Sequence, residues 1–189
     1  MRLRPLVILE KKNCTYYEQD PEKVALFLEQ FESLSHLKHV YIDETGFETY
    51  FYRLYGRSPK GKRIEGKVAG KRFQRISLVA GLLDGKLLAP MTYESTMTSE
   101  FFEAWFEHSL LVSLEVPSLI IMDNARFHRM SRLTELSEAN GHILLPLPPY
   151  SPEYNTIEKN WAHIKKNLRK VLPTCGTFIE ALFSCSCFK

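Results

Sequence analysis

The spacing of apolar positions divides the chain into short strands and amphipathic helices. After Asp20-Pro21, an N-cap followed by proline in the first helical position, Val24, Phe27, Leu28, Phe31 and Leu34 recur at helical spacing. Residues 39–42 (HVYI) read as a short strand that stops at Asp43. Residues 75–83 (RISLVAGLL) and 86–93 (KLLAPMTY) read as two strands joined by the hairpin signal Asp84-Gly85. Pro90 assigns the second of them to an edge or a bulge. Thr98 opens a helix to about residue 112, with Phe102, Trp105 and Phe106 turned inward as core. Residues 118–122 (SLIIM) are wholly apolar, as in a strand buried on both faces, and end at Asp123. A helix over 131–139, a stop at Gly141 and a strand over 142–147 follow. The segment from Pro146 to Pro152 is a stiff, extended turn. The last strong helix spans 156–172, ends at Pro173, and is followed by a shorter one over 177–184. Strands first, then helices alternating with strands, predict one α/β domain with a mixed sheet.

Composition changes this picture little. The 189 residues, 44% hydrophobic and 25% charged, exclude a disordered, collagenous or low-complexity chain. No apolar run approaches the roughly 18 residues of a membrane span. The start, MRLRPLVILEKKN, lacks the long apolar core and small-residue cleavage site of a signal peptide. Cys14, Cys175, Cys185 and Cys187 have no paired metal spacing and read as reduced cytosolic thiols.

Charge changes it more. Net charge is only +3, but residues 53–75 hold nine basic residues (Arg53, Arg57, Lys60, Lys62, Arg63, Lys67, Lys71, Arg72, Arg75) and one acid, Glu65. A basic strip on an otherwise acidic body is a polyanion-binding layout, and a solvated loop is its bland counterpart.

Three acids stand out. Asp43 and Asp123 each follow an apolar strand run at once, and catalytic groups gather at strand ends in α/β sheets. Glu158 lies one position off the core stripe Ile157, Trp161, Ile164, Leu168, Leu172, on a flank shared with Ala162, Lys165 and Arg169. Asn155 as N-cap with Glu158 three positions on is also a capping-box arrangement, which by itself explains both residues. Clustered carboxylates hold the pair of divalent ions that phosphodiester attack uses, and hard oxygen donors without cysteine favour Mg2+ or Mn2+ over zinc.

The blocks VYIDETGF, IIMDNARFHR and LPPYSPEYNTIEKNWAHIKKNLRK, in this order, resemble the catalytic core of a DDE transposase. The likeness is to the bacterial insertion-sequence-630 family of the mariner-like superfamily and runs from about Tyr16 to Ala181. The 35-position step from Asp123 to Glu158 also suits that superfamily. The resemblance implies a ribonuclease-H-like fold, a five-stranded mixed sheet flanked by helices. It implies Asp43, Asp123 and Glu158 as catalytic, metal-binding triad, and two Mg2+ or Mn2+ ions. It implies cleavage at transposon ends and joining of the 3′-hydroxyl to target DNA, in a bacterial cytoplasm beside the nucleoid.

On this reading residues 1–36 are a lead-in with one helix and 37–189 the catalytic domain. No helix-turn-helix domain is seen, so a separate end-reading polypeptide or frameshift product is an expected partner, as is a second copy in a homodimer. Thr156 stands where the family commonly has proline. The expected DNA contacts are Arg53, Arg57, Lys60, Lys62, Arg63, Lys67, Lys71, Arg72, Lys165 and Arg169, mainly to the phosphate backbone. Tyr16, Tyr50, Phe51, Tyr52 and Tyr55 could stack on unpaired bases or be buried. Asn124, His128 and Asn155 are supporting candidates. For His128 a phosphate or water contact stands against an ordinary polar loop residue. Trp161 reads as structural. Two alternatives stay open: an inactive or merely DNA-binding remnant, and a ribonuclease-H-like nuclease that acts on DNA structure.

Overall fold

Helix α1 covers Pro21–Ser33, and the side chain of Asp20 accepts a hydrogen bond from the Glu22 N–H at 3.1 Å, as its sequence signature predicts. In this computed structural model residues 16–48, 59 and 75–185 are described. Of the strip over residues 53–75 only Pro59 and Arg75 are among the described residues; its other basic residues, Tyr50, Phe51, Tyr52, Tyr55, Cys14 and Cys187 lie outside them. Cys175 is half-buried and Cys185 is buried.

The strands are β1 (Lys38–Glu48), β2 (Arg75–Leu83), β3 (Lys86–Tyr93), β4 (Ser118–Met122) and β5 (Ile143–Pro146). They form one five-stranded sheet in the order β3-β2-β1-β4-β5. The pairs β1–β2 and β2–β3 are antiparallel, whereas β1–β4 and β4–β5 are parallel. Asp84 and Gly85 both have positive φ, 49° and 81°, the turn that joins two right-twisted strands tightly. β3 is an edge strand with a register shift opposite Val79 and Gly81, so Pro90 sits where a missing N–H does least harm.

One expectation is corrected here. The local sequence ends the first strand at residue 42, yet β1 continues to Glu48. Its second half pairs with β2, from Glu44 opposite Val79 to Glu48 opposite Arg75, and buries Thr45 and Phe47. The partner strand supplies the order that a stretch with Asp, Glu and Gly does not supply alone. β4, in contrast, pairs with β1 only from Lys38 to Tyr41. Beyond Tyr41, β1 has a strand neighbour on one side only among the described residues.

Both faces of the sheet are covered. On one, Val40, Ile42, Val79, Ile120 and Met122 pack against α2 (Ser99–Trp105) and α3 (Met130–Ala139) through Phe102, Trp105, Phe106, Leu110, Leu133 and Leu136. The helix expected to about residue 112 keeps its course but changes winding, with a π turn over Phe106–Leu110 and a 3-10 turn over Leu111–Ser113. On the other face, Phe47, Ile76, Leu78, Ala80 and Leu82 meet α4 (Ile157–Val171) and α5 (Phe178–Phe183). The α4 side of that contact is the predicted stripe Ile157, Trp161, Ile164 and Leu168. Each aliphatic side chain fully buried this way contributes roughly 1.5–3 kcal/mol, so the faces of β1 and α4 are fixed firmly. Among the described residues no helix is long and apolar enough to cross a membrane.

Candidate active site

Asp43 and Asp123 reach one place by different routes. Asp123 follows β4 directly, as expected. Asp43 is not at a strand end. It is inside β1, paired with Ala80 of β2, at the point where β4 no longer accompanies it. Strand alternation turns Asp43 to the same face as Tyr41, toward α4. There its Oδ2 accepts a hydrogen bond from the Trp161 indole Nε1–H at 2.9 Å. Trp161 is therefore core, as read from the stripe, and also an anchor for this carboxylate, which the stripe does not reveal.

Glu158 projects from the first turn of α4 and lines the same cleft as Asp43 and Asp123. The cleft has a volume of about 340 Å³ and is lined also by Asn124, Ala125, Asn155 and the segment from Leu147 to Pro152. Its described lining holds three carboxylates and no cation. The consequence falls on Asp43. Burial first, then the negative charges of Glu158 and Glu44, push its carboxyl up to about 7, against the opposing hydrogen bonds from Trp161 and the Glu44 backbone.

The capping box expected at Asn155 and Glu158 is not formed. Thr156 takes the N-cap position, already in helical conformation, and no side chain caps the helix. Asn155 is buried, and its Nδ2 donates to the Ile42 carbonyl of β1 at 3.3 Å. A carbonyl on the open side of β1 draws the amide away from the helix end. That donation also fixes the amide's orientation, and it leaves Oδ1 buried without a hydrogen-bond partner.

His128 is neither a loop residue in solvent nor part of the cleft lining. Its side chain is 2% exposed and stands behind Asp123. Nδ1 lies 3.3 Å from the Asp123 carbonyl and 3.5 Å from its Oδ1, and Nε2 lies 3.3 Å from Glu44 Oε1. The ring is packed by Phe102 and Phe127, with centroids at 4.3 and 4.1 Å. Both ring nitrogens face acceptors only, so His128 ties the loop after β4 to the residue next to Asp43. Sequence reading missed Glu44, although the two-residue period of β1 turns it to the face opposite Asp43.

Asn124 is exposed at the cleft. Lys165 and Arg169 lie farther along the Glu158 flank of α4, Lys165 with its Nζ 5.7 Å from the centroid of Phe47 and Arg169 exposed.

These donors suit a hard divalent cation. The negative charge of Glu158 adds to the rise of Asp43, after its burial. Among the described residues no three acidic, histidine or cysteine side chains close around a single point.

The family described as DDE superfamily endonuclease matches residues 38–177. No curated protein sequence matches the chain. Among solved structures, the chain is similar to the Mos1 transposase paired-end complex with left transposon end, with a TM-score of 0.67 and 15% identity over 86% of this chain and 54% of that one. It is also similar to the Mos1 mariner paired-end complex with Mn, with a TM-score of 0.62 and 13% identity over 94% and 63% of the two chains. The Mos1 transposase catalytic domain with Raltegravir and Mn gives a TM-score of 0.53 and 13% identity over 81% and 77%. The chain spans about half the length of the first of these. The likeness shows the fold: the mixed five-stranded sheet flanked by helices is ribonuclease-H-like.

Proposed function

Because the chain belongs to the DDE superfamily of endonucleases, we propose that it is the catalytic domain of a DNA transposase, cutting at transposon ends and joining the freed 3′-hydroxyl to target DNA. The observation that carries this reading is the cleft lined by Asp43, Asp123 and Glu158, which reach it from β1, the end of β4 and the start of α4. The motif order further favours the insertion-sequence-630 branch, residues 37–189 as the catalytic unit, and work in a bacterial cytoplasm at the nucleoid.

In this reading Asp43, Asp123 and Glu158 hold two Mg2+ or Mn2+ ions. Bound there, the ions would stabilise the attacking and leaving oxygens of an in-line displacement at phosphorus. The protein's share is placement. Trp161 holds Asp43 through the indole bond, and His128 holds the Asp123 loop from behind. Lys165, Arg169 and the basic strip take the phosphate backbone and position the strand without reading bases. Mos1 is seen with paired transposon ends. A pair of copies of this chain on two ends, with an end-reading partner, is the corresponding assembly.

The test is a nicking and strand-joining assay in Mg2+ with the full chain, any end-reading partner supplied. The parent cuts and joins, whereas Asp123→Asn and Glu158→Gln do neither while remaining folded. Variants that nick at the parent rate would overturn the triad. A parent that nicks but never joins a 3′-hydroxyl end would be a nuclease and not a transposase.

A further inference from the structure

The cleft has two unlike walls. One carries the carboxylates. A second, continuous part of the lining is Leu147, Pro148, Pro149 and Tyr150, uncharged throughout and ending in an aromatic ring. A phosphodiester alone gives no reason for an apolar wall, but the nucleotide attached to it does, because its base is flat and uncharged. Tyr150 is 56% exposed and lies at φ +57°, a left-handed conformation that a bulky side chain rarely adopts. Such a conformation persists only where its surroundings impose it. They do so here. Prolines flank the turn at Pro148, Pro149 and Pro152, Ser151 Oγ donates to the Pro149 carbonyl at 3.2 Å, and Gln19 Nε2 donates to Ser151 Oγ at 2.8 Å. Leu147 N–H donates to the Met122 carbonyl at 2.8 Å, which sets the wall beside the end of β4, next to Asp123. The fold therefore holds a large ring out at the cleft mouth against the ring's own backbone preference. Tyr16 stands beside it at 6.3 Å between centroids, tilted by 40°.

We propose that Tyr150 and its proline wall form a nucleobase subsite, on which the unpaired base next to the scissile or joining phosphate stacks. This rests on the proposed function and adds to it the part of the substrate that the carboxylates do not touch. Stacking is indifferent to base identity, so the subsite takes any unpaired base and favours purines for their larger face.

The experiment uses the full chain, a DNA hairpin with a short 3′ overhang ending in 2-aminopurine, and a blunt hairpin of the same duplex. Parent protein quenches the 2-aminopurine emission. Tyr150→Ala loses the quench and binds the overhang roughly 5- to 100-fold more weakly, while its affinity for the blunt hairpin stays within about twofold. Tyr150→Phe keeps both signals. Tyr150→Gly suits the left-handed backbone, so it melts at or above the parent temperature and still loses the quench, which separates the ring from loop folding. Unaltered quench and affinity in Tyr150→Ala overturn the subsite. Equal loss on overhang and blunt DNA overturns it too, because the ring then serves the loop or the duplex and not an unpaired base. A parent that binds both hairpins without quench overturns the subsite and leaves the proposed function standing. With any end-reading partner supplied, a parent that binds neither overturns both. Self-association that disappears in Tyr150→Ala, with DNA binding unchanged, would make the wall a protein contact instead.

Discussion

Asp43 carries the electrostatic cost of the site. Its ordinary pKa is 3.8 and its folded value is about 7. Between those values the native chain holds a proton that the unfolded chain has released, so in chelator this group's contribution to stability is lost as pH rises from about 4 to 7. Asp43→Asn cannot ionise and still offers an oxygen to Trp161. Its melting temperature in chelator should exceed the parent's at about pH 8 and match it at about pH 4. A second expectation concerns the support behind Asp123. Glu44→Gln keeps an oxygen facing His128 and should keep most of the cleavage rate. Glu44→Ala and His128→Ala should lower kcat about 10- to 100-fold with DNA affinity unchanged, as for residues that act through a ligand. The acids themselves were legible because each followed an apolar run or flanked a stripe. His128 was legible as a candidate only. Its burial comes from Phe102, which lies 26 positions earlier in the chain.

At the level of elements, the sequence pattern located every α-helix and β-strand among the described residues, and missed where tertiary partners decide the ends. β1 outran its sequence signal because β2 pairs with its second half. The starts of α4 and α5 show the same rule. Thr177 and Glu180 form the full box at α5, where both residues are exposed and local bonds decide. At α4 a similar signal fails, because Asn155 is claimed by the Ile42 carbonyl. Thr156 has φ −62° and ψ −26°, and Asn155 before it is extended. Both suit proline at 156. Thr156→Pro should raise stability by about 0.4–1 kcal/mol through the unfolded state, read as an increase in melting temperature. A decrease would show that the turn requires the Thr156 N–H or hydroxyl.

For the molecule as a whole, charge and fold divide the work. The sheet and helices supply an acidic cleft, and the basic residues cluster in a strip between β1 and β2 in sequence, with a second group on α4. Replacing Lys60, Lys62, Arg63 and Lys67 by alanine should reduce the slope of log affinity for DNA against log salt by about 3–4, measured by titration at several salt concentrations. An unchanged slope would remove the strip from the DNA face.

The part of β1 beyond Tyr41 has a meaning that a list of contacts does not convey. Asp43 belongs to that strand. Glu158 is referred to it twice, through Asn155 on Ile42 and Trp161 on Asp43. Asp123 is referred to it through His128 on Glu44. Three consecutive residues, Ile42, Asp43 and Glu44, thus act as a common datum, as a machinist measures every hole from one edge. Placement errors in the long chain between β1 and α4 do not accumulate at the site, because each carboxylate is gauged against the same short stretch of backbone. Loops elsewhere can change length or sequence without moving the three acids apart, whereas a one-residue slip in β1 would displace all of them together.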